Sequence, residues 1–294
     1  MNWRFSVEVA LVRVALAASR ALGPVGASNA GGWLTRTVGP LLPVSRVAYD
    51  NLRRAMPELD AAARRRIVRG AWDNLGRTMG EFPHVAGLKR TATGPGWEMV
   101  GEGTLLAQAQ RGGPLIFFSG HIGNWELLPV AAAAYGVQVS GVYRAATNPG
   151  VDAIIMNLRQ PPSGAAVPMF PKGAAGARRA LRHLSNGGTL AFLMDQKMND
   201  GVTARFFGLP AMTASAPAAM ALRSRCPVVP AYVQRLGPAR FRLVCEPPIA
   251  LPDTGDRQAD ILAVTQTVND HLERWIRNQP ESWLWMHRRW PKPS

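Results

Sequence analysis

The chain has 294 residues, 47% of them hydrophobic, which is enough for a large single-core domain or for one domain with appendages. Its 34 Lys and Arg residues against 19 Asp and Glu give a formal net charge of +15, which predicts an anionic partner: nucleic acid, an acidic membrane surface or an acidic protein. The two cysteines, Cys226 and Cys245, lie in apolar surroundings without metal-type spacing, which argues against a disulfide framework and a cysteine metal site.

The N-terminal segment is rich in apolar residues from Phe5 to Leu22, but Glu8, Arg13 and Arg20 interrupt it. A spanning helix needs about 20 mostly uncharged residues, and a central Arg costs about 3 kcal/mol on insertion. The same charges weaken a reading as a cleaved signal peptide. We therefore expect residues 1–25 to form a membrane-associated helix in the lipid interface, with an ordinary packed helix as the alternative. Residues 26–294 are expected to form one domain.

An amphipathic helix is predicted after Asp60, which is placed to cap it. From residue 113 the pattern alternates between strand and helix. The predicted strands are PLIFFS, VQVSGVY, TLAFLM, VVPAYVQ and FRLVCE, and the predicted helices include Asn124–Tyr135, GARRALRHLSNGG, SAPAAMALRSR and one through Ile261–Ile276. Such alternation indicates an α/β fold with a central, largely parallel or mixed sheet flanked by helices.

The stretch SGHIGNWELL follows the strand PLIFFS, at the kind of strand end where α/β folds gather reactive groups. On one continuous helix, residues five apart point about 140° away from each other. His121 and Glu126 can therefore meet if His121 precedes the helix and Glu126 lies on its first turns. Gly120 and Gly123 allow the backbone angles of such a loop.

A carboxylate bound to one imidazole nitrogen fixes the tautomer, and the other nitrogen can then take a proton from a hydroxyl group. The sequence contains no G-x-S-x-G elbow, so the activated nucleophile would belong to the substrate.

The sequence leaves the function of two further basic stretches undecided. The glycine-rich PKGAAGARRAL lacks the Lys-Ser/Thr ending of a P-loop, which argues against ATP binding. Its basic residues could face lipid phosphates or an acidic carrier protein, or form a solvated surface: Lys172, Arg178 and Arg179. The tail WLWMHRRW suits a membrane interface, with its aromatic and basic residues, or stacking on single-stranded nucleic acid.

Five blocks in order, FSGHIGNWELLP, GVYRAATNP, GTLAFLMDQ, FFGLPAMTASAPAAMALRSRCPVVP and PESWLWMHRRW, resemble the bacterial lipid A biosynthesis acyltransferase family, the late lauroyl and myristoyl transferases. The resemblance implies the wider glycerolipid-acyltransferase fold, with residues 26–294 as the acyltransferase domain. It implies transfer of a fatty acyl chain from acyl carrier protein thioester, or acyl-CoA, to a hydroxyl of a lipid A precursor. It also implies action at the cytoplasmic face of the inner membrane, with carrier protein, anionic lipid and the membrane surface as partners, no nucleic acid, and neither cofactor nor metal.

The resemblance also implies roles for individual residues. His121 would be the general base and Glu126 would orient it, with Asp195 as the second candidate for that position. Arg144 would bind an acceptor phosphate or stabilise the oxyanion, or else form a structural salt bridge, and Gln196 would support the site. The family's Tyr-Arg before Asn-Pro corresponds to Tyr143, Arg144, Asn148 and Pro149.

The aromatic stretch around residue 207 suits the wall of an acyl-chain tunnel, with Phe206, Phe207 and Met212 as candidates, or ordinary core. Two alternatives for the function remain open. One is the same chemistry on another glycolipid, such as a phosphatidylinositol mannoside. The other is a noncatalytic basic protein that binds anionic lipid or nucleic acid.

Overall fold

The computed structural model of the chain describes residues 3–160 and 166–291. The α-helices are α1 Trp3–Val38, α2 Ser45–Ala55, α3 Ala61–Glu81, α4 Glu102–Arg111, α5 Leu127–Ala133, α6 Pro149–Leu158, α7 Ala174–Ser185, α8 Ala216–Ser224 and α9 Arg257–Asn278. Short 3₁₀ helices cover Gly39–Leu41, Phe82–Gly87 and Pro280–Ser282. The strands are β1 Gly96–Val100, β2 Leu115–Ser119, β3 Val139–Tyr143, β4 Phe170–Pro171, β5 Thr189–Leu193, β6 Val202–Phe206, β7 Leu209–Thr213, β8 Val228–Gly237 and β9 Arg240–Cys245.

Across the described ranges, seven strands form one mixed sheet in the order β1-β9-β8-β2-β5-β3-β4. The strands from β8 to β4 run parallel, whereas β8 and β9 form an antiparallel pair and β1 lies parallel to β9. The five residues of β2, Leu115–Ser119, are all buried, as expected for a central strand with both faces covered. The predicted α/β fold with a mixed sheet flanked by helices is confirmed.

The remaining strands form a separate antiparallel hairpin, β6 and β7. Phe207 and Gly208 turn the chain between them with positive φ angles of 52° and 71°. The hairpin packs on α9, where Glu273 accepts a hydrogen bond from the Phe207 backbone N–H at 2.6 Å. The predicted cap of α3 is present, since the Asp60 side chain accepts from the Ala63 N–H.

The helix α1 bends at Gly23, whose φ of 66° and ψ of 172° are not helical, and Pro24 follows. The bend lies close to the boundary expected at residue 25. Beyond it, α1 packs against α3, and before it large apolar side chains are exposed: Trp3, Val7, Leu11, Val14 and Leu22. Among the described residues, no helix combines the length and apolarity that crossing a membrane requires.

The C-terminal tail is part of the core, which corrects its prediction as an interfacial or nucleic-acid-stacking segment. Trp283, Trp285 and Trp290 are each at most 2% exposed, and Arg289 is fully buried. The Arg289 guanidinium donates to the Met212 carbonyl at 2.7 Å, and so ties the tail to the hairpin. Aromatic rings beside a basic residue are equally suited to a packed core when the guanidinium finds acceptors there.

Candidate active site

The pairing of β2 with β5 brings the central residues of the site together. The two strands run parallel in a register that places Ser119 opposite Leu193. Both chains therefore leave the sheet at the same edge, and His121 follows one strand while Asp195 follows the other. Because the carboxyl ends of parallel strands converge, 74 residues of sequence separation become direct contact.

Asp195 holds both the backbone and the ring of His121. Its Oδ1 lies 2.8 Å from the imidazole Nδ1, and its Oδ2 accepts from the His121 backbone N–H at 3.0 Å. The indole Nε1–H of Trp283 also donates to Oδ2, at 2.7 Å. These contacts fix the orientation of the imidazole and direct its Nε2 away from the carboxylate.

The electrostatics of Asp195 favour the charged carboxylate in spite of its burial. Burial alone would raise the pKa of this carboxyl group. The positive charge of the neighbouring His121 and the hydrogen bonds from His121 and Trp283 outweigh burial and hold the pKa well below its usual range. Asp195 is therefore an anion at neutral pH and can stabilise a protonated His121.

Glu126 does not occupy the position beside His121 that was expected for it. Its carboxylate is bound by the guanidinium of Arg159, with Nε at 2.9 Å from Oε2, and accepts from the Trp125 indole at 3.2 Å. The Trp125 ring packs edge-on against His121, with ring centroids 4.9 Å apart. The Glu126 carboxylate is paired with Arg159 instead of with the imidazole. Glu126 therefore contacts His121 only indirectly, through the ring of Trp125.

Buried polar contacts hold the loop between β2 and α5. Gly123 has a φ of 61°, and a Cβ atom there would lie 2.2 Å from the Val233 carbonyl oxygen, so the position requires glycine. Its carbonyl accepts from Asn74 and Thr78 of α3, each at 3.0 Å. Asn124 donates to the fully buried Glu81 at 2.8 Å. The backbone around His121 is therefore held in place by polar side chains of α3.

A cavity of about 630 Å³ borders His121, within the range of about 300–1,000 Å³ typical of ligand sites. Strands β1, β9, β8, β2, β5 and β3 all contribute side chains to it, and at a strand spacing of about 4.8 Å they span about 24 Å. Most of the lining is apolar, including Met99, Leu105, Phe117 and Val139. Alanines of α5, at positions 131–133, line one side, and their small side chains leave this space open.

The residues predicted to form an acyl-chain wall lie elsewhere, and this prediction is corrected. Phe206 and Phe207 are buried in the hairpin and pack against the tail tryptophans; Phe206 stacks on Trp290 with ring centroids 5.7 Å apart. Met212 lies on β7, where its sulfur accepts from Thr203. None of the three lines the cavity at His121. The alternative of ordinary core fits Phe206 and Phe207, because the hairpin turns its aromatic face toward the tail.

The residues of the Tyr-Arg and Asn-Pro motif have two different positions: the first pair lines the cavity, and the asparagine caps a helix. Tyr143 and Arg144 line the cavity, and Arg144 is exposed. Within the described residues Arg144 forms no ion pair, so the alternative of a structural salt bridge is not present there. Asn148 is instead the N-cap of α6, where its Oδ1 accepts from the Gly150 N–H at 3.0 Å, and its amide donates to Glu8 of α1 at 2.8 Å.

Gln196 lines the same cavity as His121, directly after Asp195 in the chain. Lys172 also lines it and is exposed at the rim. Across the part of the chain that the structure describes, no cluster of His, Cys, Asp and Glu is suited to hold a metal ion. The site combines an oriented imidazole with an apolar cavity that has polar groups at its edge.

Three residues of the site were missed from the sequence: Arg159, Trp283 and His287. Arg159 and His287 line the cavity, and Trp283 binds Asp195. A signal for the last two was present in WLWMHRRW, since alternating tryptophans in a short extended segment indicate burial on one face. Arg159 follows α6 without a motif of its own, and its role depends on the fold.

A family model described as "Bacterial lipid A biosynthesis acyltransferase" matches residues 4–292, nearly the whole chain. Among solved structures, the chain is similar to the crystal structure of the 1-acyl-sn-glycerophosphate (LPA) acyltransferase PlsC from Thermotoga maritima, at 11% sequence identity and a TM-score of 0.40, over 80% of this chain and 95% of that one. No match was found among curated proteins. On the strength of the family match, the chain belongs to the bacterial lipid A biosynthesis acyltransferase family.

Proposed function

We propose that this acyltransferase moves a fatty acyl chain from acyl carrier protein thioester to a hydroxyl group of a lipid A precursor, by direct attack and without an acyl-enzyme. One observation carries the proposal. The imidazole of His121 is held between the buried Asp195 and a large apolar cavity, and its Nε2 has no protein partner within the described residues. An oriented base beside a space for an apolar chain is what acyl transfer to an alcohol requires.

In the proposed reaction the acyl chain lies in the cavity and presents its thioester carbonyl near His121. Nε2 takes the proton of the acceptor hydroxyl as the oxygen attacks the carbonyl carbon. The anionic Asp195 stabilises the imidazolium that forms. When the intermediate collapses, the carbon–sulfur bond breaks and the carrier sulfur leaves with the proton from His121. The products are the ester and the free carrier thiol, and the base is regenerated.

The cations at the cavity rim support an anionic acceptor. Arg144 and Lys172 are exposed, line the cavity, and form no ion pair within the described part of the chain. A phosphate group on the acceptor, or on the carrier's prosthetic arm, would neutralise them. The exposed Lys and Arg side chains also favour an acidic carrier protein as the donor, with acyl-CoA as the alternative.

The N-terminal part of α1 supports action at a membrane surface. Its exposed apolar side chains, with Arg13 and Arg20 also exposed, match a helix that inserts into the headgroup region of an anionic lipid layer. Asn148 ties this helix to α6 beside the cavity through bonds to Phe5 and Glu8. In this proposal the helix places the rim at the cytoplasmic face of the inner membrane.

The decisive experiment is a transfer assay. The purified protein is incubated with acyl carrier protein thioesters and a panel of acceptors that includes lipid A precursors and phosphatidylinositol mannosides. Products are identified by mass spectrometry. We expect an acylated lipid A precursor from the wild-type protein, and a loss of about 10²–10⁴-fold in kcat for His121→Ala.

His183→Ala is the matched control, because His183 lies on α7 and does not line the cavity. Its turnover should stay close to wild type. Wild-type turnover in His121→Ala would refute the general base. Transfer to another glycolipid alone would refute the acceptor, and no transfer with any acceptor would favour a noncatalytic lipid-binding protein.

A second experiment tests whether the cavity holds the acyl chain. Leu105 lines the cavity, whereas its neighbour Leu106 is 40% exposed and does not. Leu105→Phe reduces the cavity and should shift preference to shorter acyl chains, as measured by kcat/KM across a series of thioesters. Leu106→Phe should leave the series unchanged. An unchanged profile in a folded Leu105→Phe variant would place the chain elsewhere.

A further inference from the structure

His287 also borders the cavity, and its backbone is anchored to the loop that carries His121. The Leu284 N–H donates to the His121 carbonyl at 3.2 Å, and the His287 N–H donates to the Leu284 carbonyl at 3.4 Å. The His287 carbonyl accepts from the Asn51 side chain of α2 at 2.7 Å. One turn of backbone therefore connects the two histidines, and the position of His287 is fixed relative to His121.

The surroundings of His287 keep its imidazole neutral. Nδ1 is buried and has no hydrogen-bond partner among the described residues, so a second N–H there would stay unsatisfied. Burial lowers the pKa of His287; the negative Asp195 opposes this, while positive charges on His121, Arg289 and Lys172 lower it further. The neutral ring then carries one proton, and placing it on Nε2 avoids a buried, unpaired N–H at Nδ1.

We propose that His287 donates a hydrogen bond from Nε2 to the thioester carbonyl oxygen as this atom becomes an oxyanion. The inference rests on the acyl transfer proposed above and adds a second role in the same site. A neutral imidazole can polarise a carbonyl while another group does the proton transfer. The two roles follow from the contacts: His121 has a carboxylate bound to its ring, and among the described residues His287 has none.

The electron and proton balance needs no further reactant. As the acceptor oxygen bonds to the carbonyl carbon, the π electron pair moves onto the carbonyl oxygen and His121 gains the hydroxyl proton. His287 keeps its own proton throughout and stabilises the negative oxygen. On collapse the carbonyl re-forms, the carbon–sulfur bond breaks, and the sulfur takes the proton from His121.

The test compares His287→Phe, which keeps a ring without a donor, with His287→Gln, which keeps an N–H. Removal of one oxyanion donor costs about 10²–10³-fold in kcat, so His287→Phe should lose that much while KM for the donor changes by about twofold or less. His287→Gln should recover most of the loss. His183→Phe is the matched control, and thermal unfolding of each variant checks the fold.

An infrared measurement separates this role from a structural one. In a His121→Ala background without acceptor, so that no transfer occurs, the carbonyl stretch of a ¹³C-labelled thioester should lie at lower frequency with His287 than with Phe at that position. His287→Met replaces His287→Phe in both measurements if the phenylalanine variant does not fold.

The outcomes distinguish the two proposals. If wild type transfers acyl chains and the folded His287→Phe variant retains kcat within threefold, the oxyanion role is wrong and the general base stands. Equal losses in His287→Phe and His287→Gln, or a loss carried by KM alone, also refute the role. If wild type transfers nothing to any acceptor, both proposals fail.

Discussion

In the described part of the chain, two histidines each have Nδ1 beside a carboxylate that also accepts a hydrogen bond from a tryptophan indole. At the cavity, Nδ1 of His121 lies 2.8 Å from Asp195, and an indole N–H donates to the same carboxylate at 2.7 Å. On α9, Nδ1 of His271 lies 2.8 Å from Glu246, and the indole of Trp275 donates to Glu246 at 2.8 Å. Each imidazole Nδ1 thus faces a carboxylate, although Arg274 Nη2 also lies 2.8 Å from Nδ1 of His271.

The two clusters differ in their other neighbours. Glu246 also accepts from Arg274 at 2.6 Å, and His271 packs edge-on against Phe118 and against Trp275 outside the cavity. Asp195 has no arginine bound to it among the described residues. The charge of Glu246 is therefore shared between Arg274 and His271, whereas His121 is the titratable group bound to Asp195 within the described residues.

The comparison shows that a histidine–carboxylate–tryptophan cluster does not define an active site. In the function proposed above, the same contacts position a base where His121 borders the cavity, and they form a structural tie where the ring of His271 is packed between aromatic side chains. Changing one cluster while keeping the other as a control tests this difference.

The largest effect is expected for Asp195→Asn. An asparagine amide in place of the carboxylate holds the wrong tautomer of His121 and cannot stabilise the imidazolium, which in a comparable triad costs about 10⁴-fold in kcat. The measurement is kcat in the transfer assay, with circular dichroism as a check of the fold. A folded Asp195→Asn variant that retains more than a tenth of wild-type kcat would contradict the assignment.

A loss of about 10–100-fold in kcat is expected for Glu126→Gln, because breaking its pair with Arg159 loosens Trp125 against His121. The loss should be matched by Arg159→Met, since both changes break one ion pair. A loss in Glu126→Gln as large as that in Asp195→Asn would mean that Glu126 acts on the imidazole directly during turnover.

Asp195 and Glu126 show how much of the site can be predicted from the sequence. The end of the strand PLIFFS and the loop position of His121 are predictable from local pattern, and the family resemblance offers Asp195 as the second candidate for the partner of His121. The partner of His121 was not decided by spacing, because it depends on the register of β2 against β5, which is a long-range property. Glu126 was closer in sequence but bound by Arg159, a residue that only the fold brings near.

The β6–β7 hairpin shows a different limit of prediction from the sequence. VTARF and LPAMT flank a Phe-Gly turn, and buried residues alternate along each strand, so the period-2 signal of a hairpin was present. The adjacent aromatic residues Phe206 and Phe207 hid it, because they look equally like the wall of an apolar pocket. Their packing against the tail tryptophans depends on contacts across about 80 residues, which local pattern does not contain.

A smaller effect, about tenfold in kcat, is expected for Trp283→Phe, which removes one neutral donor from Asp195 and keeps an aromatic ring. Trp275→Phe removes the equivalent donor from Glu246 and should leave kcat within twofold. The ratio of the two losses measures how far the clusters differ in function. Equal losses would show that the tryptophan bond at Asp195 has no special part in turnover.

The smallest effect on turnover is expected for Glu246→Gln, whose cost should fall on stability instead. Burial raises the pKa of Glu246, but hydrogen bonds from His271, Arg274 and Trp275 outweigh it and lower the pKa to about 2. A carboxylate with a lowered pKa stabilises the fold above its unfolded pKa of about 4.3, and this contribution is lost as the pH falls toward 2.

Glu246→Gln should therefore lower the free energy of unfolding at pH 7 by about 2 kcal/mol, measured by denaturant titration, with kcat within twofold of wild type. Because the variant has no charge to lose, its stability should fall less steeply than that of wild type between pH 4.5 and 2. Glu58→Gln is the control: that side chain is 61% exposed and 3.9 Å from Arg277, so its change should stay within about 0.5 kcal/mol. A Glu246→Gln variant with native stability but a large loss of kcat would mean that Glu246 and His271 take part in the reaction. The contrast between the two histidines would then no longer hold.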